Sequence, residues 1–289
     1  MRSLSEIDVV HPEDTVRPEV SKGFRQAQPE RGLGSVQLNY DGRLVVVTIA
    51  NPAKLNAMSR HMWQQLRSVF NSISDNKYAG CVLILGENSI ENSALTKSFS
   101  AGGDISEYPS FRFNEASLRE FHETDVWGGL QAMLACDVPI VAQIEGACMG
   151  AGLEMASCCD IRIAGVSAKF GAPIAKLGFP MAPKEAELVI RAVGELTARE
   201  LLLEAAVLDA PTMLQRGFLN RVVADADVAT SAMQSVNRIL ALAPQAARLN
   251  KQTFRGLNTQ NSYAYANSAE HREGVAAFVE KRKPNWTKV

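Results

Sequence analysis

From Pro139 to Ile144 the chain is an apolar, strand-like run. It then passes through Gly146-Ala147-Cys148-Met149-Gly150-Ala151-Gly152, a turn of small residues, directly into a helix carrying Glu154. Few architectures accept such a corner. A buried strand that feeds a helix with so little side-chain bulk belongs to a layered α/β fold, in which backbone approaches backbone or ligand closely. The first helical turn also offers N–H groups without intrahelical partners and the positive end of the helix dipole, where a developing anion is favoured. Glu154 lies one turn in, among Leu153, Met155 and Ala156. Burial there raises a carboxyl pKa toward a range useful for proton transfer. Tight strand–helix packing by itself would ask for the same small residues.

A second corner has the same character: Ser98-Phe99-Ser100-Ala101-Gly102-Gly103-Asp104-Ile105, small residues after a short strand near Phe99. Its exposed N–H groups can hold an oxyanion, although an ordinary glycine turn would read alike. Taken together, the two corners predict a two-donor oxyanion hole, one N–H from each. Such a hole suits a thioester carbonyl that becomes an enolate when a neighbouring proton leaves. The loss of one such donor typically costs about 100- to 1,000-fold in rate.

The rest of the chain supplies the frame. Val36–Tyr40 and Leu44–Ile49 read as strands joined by the hairpin signal Asp41-Gly42. Ser59–Ile73 reads as an amphipathic helix capped by Ser59, with Met62, Trp63, Leu66 and Phe70 on one face. Cys81–Leu85 and Ile161–Ala164 read as short buried strands, and Asn114–Leu134 as one long helix. From Pro183 onward the pattern is almost entirely helical: 185–193, 197–205, 228–242, 244–255 and 264–280, with Arg221–Val223 as a strand. The expected layout is a flexible or loosely docked polar extension over 1–34 and an α/β core with the active site over 35–195. A helical region over 196–289 follows, its apolar stripes packing on their own core or on another subunit.

Composition excludes several classes. The 30 basic and 31 acidic residues balance to a net charge of -1, which argues against a nucleic-acid surface. The five cysteines, Cys81, Cys136, Cys148, Cys158 and Cys159, are odd in number and lack a CxxC pair, so neither a disulfide framework nor a zinc site is expected. The histidines, His11, His61, His122 and His271, lack metal-ligand spacing and read as surface groups. No stretch of about 18 apolar residues marks a membrane span, and Met1–Glu30 has no signal-like core. A cytoplasmic enzyme without metal or membrane is the expectation.

In this order and spacing, several segments resemble the crotonase (enoyl-CoA hydratase/isomerase) superfamily over residues 35–289. They are Asn51-Pro52-Ala53-Lys54-Leu55-Asn56-Ala57, Phe99–Ile105, Pro139–Asp160, Phe170-Gly171-Ala172-Pro173, Leu177-Gly178, Arg216–Val223 and Gly274–Pro284. The resemblance implies a spiral of ββα units with a helical C-terminal part, assembled as a homotrimer or hexamer. It implies an acyl-CoA substrate and no separate cofactor, since coenzyme A is part of the substrate. By motif position it assigns the oxyanion N–H groups to Gly103 and Ala151 and the acid/base to Glu154. It places Ala53, Lys54, Ala101, Gly102, Asp104, Ile105, Gly150 and Ile174 on the substrate side, and Phe278 and Lys281 near the CoA nucleotide, often that of a neighbouring subunit.

The chain departs from the family at one chemically important place. Hydratases with two glutamates carry the second in a Phe-Gly-x-Pro-Glu pattern, and here that position is Ile174. Three outcomes follow: Glu154 does both jobs, another group such as Lys176, Glu185 or Glu123 enters the pocket, or the reaction differs. The alternatives to an enoyl-CoA hydratase/isomerase are an acyl-CoA hydrolase or decarboxylase, and a catalytically weak acyl-CoA-binding homologue. Lys176, Glu185 and Glu123 read as surface residues by default.

Overall fold

The computed structural model describes residues 34–91, 94–257 and 261–286. The expected extension over 1–34 falls, but for Gly34, outside them, as does His11. β1 (Ser35–Asp41) and β2 (Leu44–Ala50) form the expected antiparallel hairpin, and Ser59 caps α1 (Arg60–Asp75) by accepting from the Met62 N–H. α1 turns Met62, Trp63, Leu66, Phe70 and Ile73 inward.

After α1 the chain repeats one manoeuvre. A strand enters a six-stranded sheet, a second, shorter strand enters a four-stranded sheet, and a helix follows. In the first turn these are β3 (Cys81–Gly86) and, after a small hairpin β4 (Ser89–Glu91)–β5 (Ala94–Thr96), β6 (Ser98–Ser100). The helical part is α2 (Glu115–Glu120), a wider π-helical segment Phe121–Val126, and α3 (Trp127–Ala135). In the second turn they are β7 (Ile140–Ile144), β8 (Ala147–Met149) and α4 (Ala151–Ser157). The third has β9 (Ile161–Gly165), β10 (Lys169–Gly171), α5 (Pro183–Val193) and α6 (Glu195–Leu203). Each new strand lies parallel to its counterpart from the previous turn: β3, β7 and β9 in the large sheet, β6, β8 and β10 in the small one. The result is a spiral of ββα turns. The chain finishes with β11 (Val207–Asp209) on the small sheet, α7 (Ala210–Gln215), β12 (Arg221–Val223) on the large one, α8 (Val228–Leu240), α9 (Pro244–Phe254) and α10 (Ala269–Val279).

Three expectations are corrected. The small-residue turn after Ile144 contains the strand β8. Arg221–Val223 is not the one strand after Pro183, because Val207–Asp209 pairs antiparallel with β10; three residues carry too little periodicity to be seen. The terminal helix begins at Ala269 rather than 264, where Ser268 caps it by accepting from the His271 N–H.

The central strands read as continuous apolar runs because both faces of the large sheet are covered. Val82 and Ile84 face the main core with Trp63, Phe70, Phe99 and Phe170. Cys81, Leu83, Val141 and Ile163 face a second cluster closed by Ala232 and Val236 of α8. All five cysteines are buried and unpaired. α9 is attached differently. Lys251 is its one buried residue, and its ammonium meets Asp160 at 2.8 Å and the Val138 carbonyl at 3.0 Å. Arg248 donates to the Asn76 and Ala79 carbonyls, each at 2.8 Å, and Arg255 pairs with Asp137.

The corner between β7 and β8 depends on Gly146. Its φ is +62°, and a Cβ there would lie 1.9 Å from the Lys97 carbonyl oxygen. Gly42 in the first hairpin has a similar φ of +58° with open space around it. Gly42→Ala should therefore cost about 1–2 kcal/mol, the left-handed backbone penalty alone. Gly146→Ala adds a backbone collision and should cost clearly more, measured as the difference in urea unfolding midpoints at constant slope.

Candidate functional site

The two small-residue corners meet. Gly150 N–H donates to the Gly171 carbonyl at 2.8 Å, and a Cβ built on Gly150 would lie 3.7 Å from Gly102 Cα. Residue 103 is fixed by an isolated bridge to Met58, whose N–H donates to the Gly102 carbonyl and whose carbonyl accepts from Asp104. Both ladder bonds belong to Met58, so the Gly103 N–H points away from it. Ala151 opens α4, where N–H groups have no intrahelical partner. Gly103, Gly150, Ala151 and Glu154 all line one narrow cavity of about 60 Å³. Glu154 itself is 7 % exposed.

Asp104 locks the first corner from outside. Its carboxylate accepts from Lys54 Nζ at 2.6 Å and from the Ser106 N–H at 3.1 Å. Burial alone would raise its pKa, but the hydrogen bonds from Lys54 and Ser106 outweigh it and hold it below the usual carboxylate range. Lys54 sits in a short 3-10 turn, Pro52–Lys54, with Ala53 exposed beside it. Ala101 and Ile105 are exposed, and Gly102 is buried. Ile174 does line the cavity, so the position that carries the second acid in the Phe-Gly-x-Pro-Glu pattern is apolar in the site itself. Phe278, 86 % exposed, and Lys281, also exposed, stand at the end of α10 and do not line this cavity.

Several lining residues escaped the sequence reading. Glu185 is the exception: a surface residue by default but named among the groups that could enter the pocket, it is 3 % exposed and lines the cavity together with Glu154. His122, also taken as a surface group, lines it too, and its Nδ1 lies 2.9 Å from Glu185 Oε1. Arg112 Nη1 lies 3.3 Å from His122 Nε2. A guanidinium can only donate, so Nε2 accepts and Nδ1 carries the proton that it donates to Glu185. Arg112 sits in the corner of two edge-to-face rings, 3.6 Å from the Phe179 centroid and 4.5 Å from that of Tyr108. The Tyr108 hydroxyl covers residue 103: a Cβ there would lie 2.2 Å from it, which is why residue 103 has no side chain. Burial pushes the Tyr108 phenol up; the Arg112 charge opposes that, and Glu154, Glu185 and Asp104 reinforce it. Of the other two candidates, Lys176 and Glu123 are exposed, and Glu123 pairs with Arg119.

A signal for His122 existed in principle. The long helix widens into the π-helical segment Phe121–Val126, and such segments occur often at functional sites. A regular 3.6-residue period carried through that segment misplaces the faces of its side chains.

Comparison with known proteins agrees with this geometry. Residues 40–289 match the enoyl-CoA hydratase/isomerase family model. The chain belongs to that family. It is 30% identical over 264 residues to a probable enoyl-CoA hydratase of Mycobacterium tuberculosis, covering 88% of this chain and 98% of that one. It is 30% identical to the short-chain-enoyl-CoA hydratase of Clostridium acetobutylicum, over 87% and 97% of the two chains. Among solved structures, an enoyl-CoA hydratase/carnithine racemase of Magnetospirillum magneticum matches with a TM-score of 0.80 and 33% identity, over 87% of this chain and 94% of that one. The spiral of ββα turns is thus the crotonase fold. No described helix is long and apolar enough to cross a membrane.

Burial, and then the facing charge of Glu185, raise the Glu154 pKa well above its ordinary value of 4.5. A carboxyl that stays protonated in the folded protein contributes its full stability below pH 4.5 and loses it as pH rises toward the folded pKa. Glu154→Gln has no proton to lose. Its unfolding free energy, measured relative to wild type, should therefore improve steadily as pH rises above 4.5, with no such trend below about pH 4.

Proposed function

We propose that this chain is an acyl-CoA enzyme of the enoyl-CoA hydratase/isomerase type that stabilises a thioester enolate. The Gly103 and Ala151 N–H groups receive the thioester oxygen, and Glu154 exchanges a proton with the adjacent carbon. One observation carries the reading: two N–H groups with no apparent local use and one buried, proton-retaining carboxyl open onto the same cavity. Deprotonation beside a carbonyl needs those two elements, a preorganised anion site and a nearby acid/base of raised pKa. Gly102, Gly150 and Ile174 border the acyl group, while Ala53, Lys54, Ala101, Asp104 and Ile105 receive the pantetheine and nucleotide. Coenzyme A arrives as part of the substrate, and no further cofactor takes part.

A homotrimer or hexamer completes this reading. Phe254, Leu257, Tyr263, Phe278 and Val279 are all more than half exposed in a single chain. Apolar groups gathered in one region of sequence are normally covered by association. Packing of this region on a second copy would bring Phe278 and Lys281 to the neighbour's nucleotide. Light scattering at micromolar concentration should give three or six times the mass of one chain, and a monomer would refute the assembly.

Glu154→Gln keeps the shape of the side chain and removes its acid. Turnover of the best substrate in a panel of acyl-CoAs should fall by about 100- to 10,000-fold. Affinity for a saturated acyl-CoA, measured by calorimetry, should change little because backbone groups hold the oxygen. Unchanged turnover would make Glu154 structural, and a folded wild-type protein that binds no acyl-CoA would refute the whole assignment.

A further inference from the structure

The apolar Ile174 leaves the cavity without the acid expected there, yet the cavity still holds two carboxyls, Glu154 and Glu185. They come from different helices, α4 and α5. We propose that Glu185, oriented by the His122 N–H, is the second acid/base of this enzyme and takes the proton from the attacking water. This rests on the acyl-CoA reading above.

Three observations support it. First, Glu185 lies in the first turn of α5, where an acidic side chain is usually exposed to water, but here it is 3 % exposed and faces a second carboxyl. Facing two carboxyls in a dry site is unfavourable for stability and is characteristic of sites that use the pair. Second, Glu185 has a built orienting chain. Arg112, held against the rings of Tyr108 and Phe179, donates to His122, and His122 donates to Glu185. A base whose orientation is set by a third group is the usual arrangement for activating a nucleophile. Third, His122 and Glu185 also line a wider, neighbouring cavity of about 290 Å³ bordered by Glu123 and Lys184. The pair thus forms the wall between the closed site and a roomier space, through which water and protons can reach Glu185. Arg112, Tyr108, His122 and Glu154 are the titratable or charged groups that face it from the other elements.

The roles divide by environment. Glu185 takes a proton from water as the water oxygen bonds to the β-carbon of an enoyl thioester. The double-bond electrons move onto the thioester oxygen, held at Gly103 and Ala151. Neutral Glu154 then gives its proton to the α-carbon, and solvent returns the proton from Glu185 to Glu154. Water has added across the double bond, with no other reactant needed. In the reverse direction Glu154, as carboxylate, removes the α-proton.

The test separates the two carboxyls by reaction. Glu154→Gln should abolish both hydration of trans-2-enoyl-CoAs and solvent-deuterium exchange at the α-carbon of butyryl-CoA. Glu185→Gln should cut hydration by about 100- to 10,000-fold while exchange is kept or accelerated. Glu185→Asp, which retains the acid, should fold normally and keep a measurable fraction of hydration, so a folding failure of the Gln variant leaves the question decidable. His122→Ala should lower kcat for hydration with KM little changed and α-carbon exchange kept, because Glu185 loses the donor that orients it. Wild-type hydration with Glu185→Gln equally active overturns the role of Glu185, as does exchange without hydration in the wild type. Hydration with unchanged kcat in His122→Ala overturns the orienting role of His122. A wild type that neither hydrates nor exchanges any of these thioesters defeats the acyl-CoA reading instead.

Discussion

The Lys97 carbonyl oxygen occupies the place where a side chain at residue 146 would begin. That contact brings the strand leading into β6 against the corner between β7 and β8, and the candidate site is built on this approach. From it follows the parallel pairing of β6 with β8, then the contact of Gly102 with Gly150, then the shared cavity of Gly103 and Ala151. The two backbone donors proposed here come from segments some fifty residues apart, and side-chain packing alone could not aim them at one point, because rotamers would blur the aim. Strand registers, set by ladder bonds, aim them instead.

Around this rigid centre the chemistry is placed on helices. α4 carries Glu154 in its first turn, and α5 brings Glu185 from another direction. The two carboxyls thus reach the cavity from two different helices. At Ile174 the acid expected on the turn after β10 is absent, while a carboxyl on the helix beyond it, Glu185, points into the cavity. Arg112 and Tyr108 close the cavity from the segment after β6 and Phe179 from the one after β10, so each of the three ββα turns contributes to its wall.

Much of this was legible in the sequence, and for identifiable reasons. Asp41-Gly42 and the Ser59 cap are local signals whose partners lie within a few residues, and both behave as read. The small residues of the two corners were legible as a pair, since each alone reads equally as a glycine turn or as tight packing. Glu185 was legible only as one of three groups that could replace the missing acid, and His122 was not legible. Their burial is set by elements 63 residues apart that meet only in the folded chain, and the π-helical widening at Phe121–Val126 breaks the period from which a face would be inferred. β11 was missed because its pairing, not its composition, makes it a strand. Phe278 and Lys281 could be placed by resemblance but not by one chain's geometry, since nothing within it draws them to the cavity.

The attachment of α9 has a consequence of a different kind. Its one buried side chain is a lysine, and its ties to the core run from Lys251, Arg248 and Arg255 to carbonyls and carboxylates at the ends of other elements. Releasing such a helix rehydrates ions and uncovers little apolar surface. An opening of that sort has a small denaturant slope and a small heat-capacity change, because both scale with the surface exposed. Amide protons of α9 will then exchange through a local motion that responds weakly to urea and strongly to salt, whereas those of β3 and β7 wait for global unfolding. α9 thus forms a separate layer of stability, fastened by charge to a core that is fastened by packing.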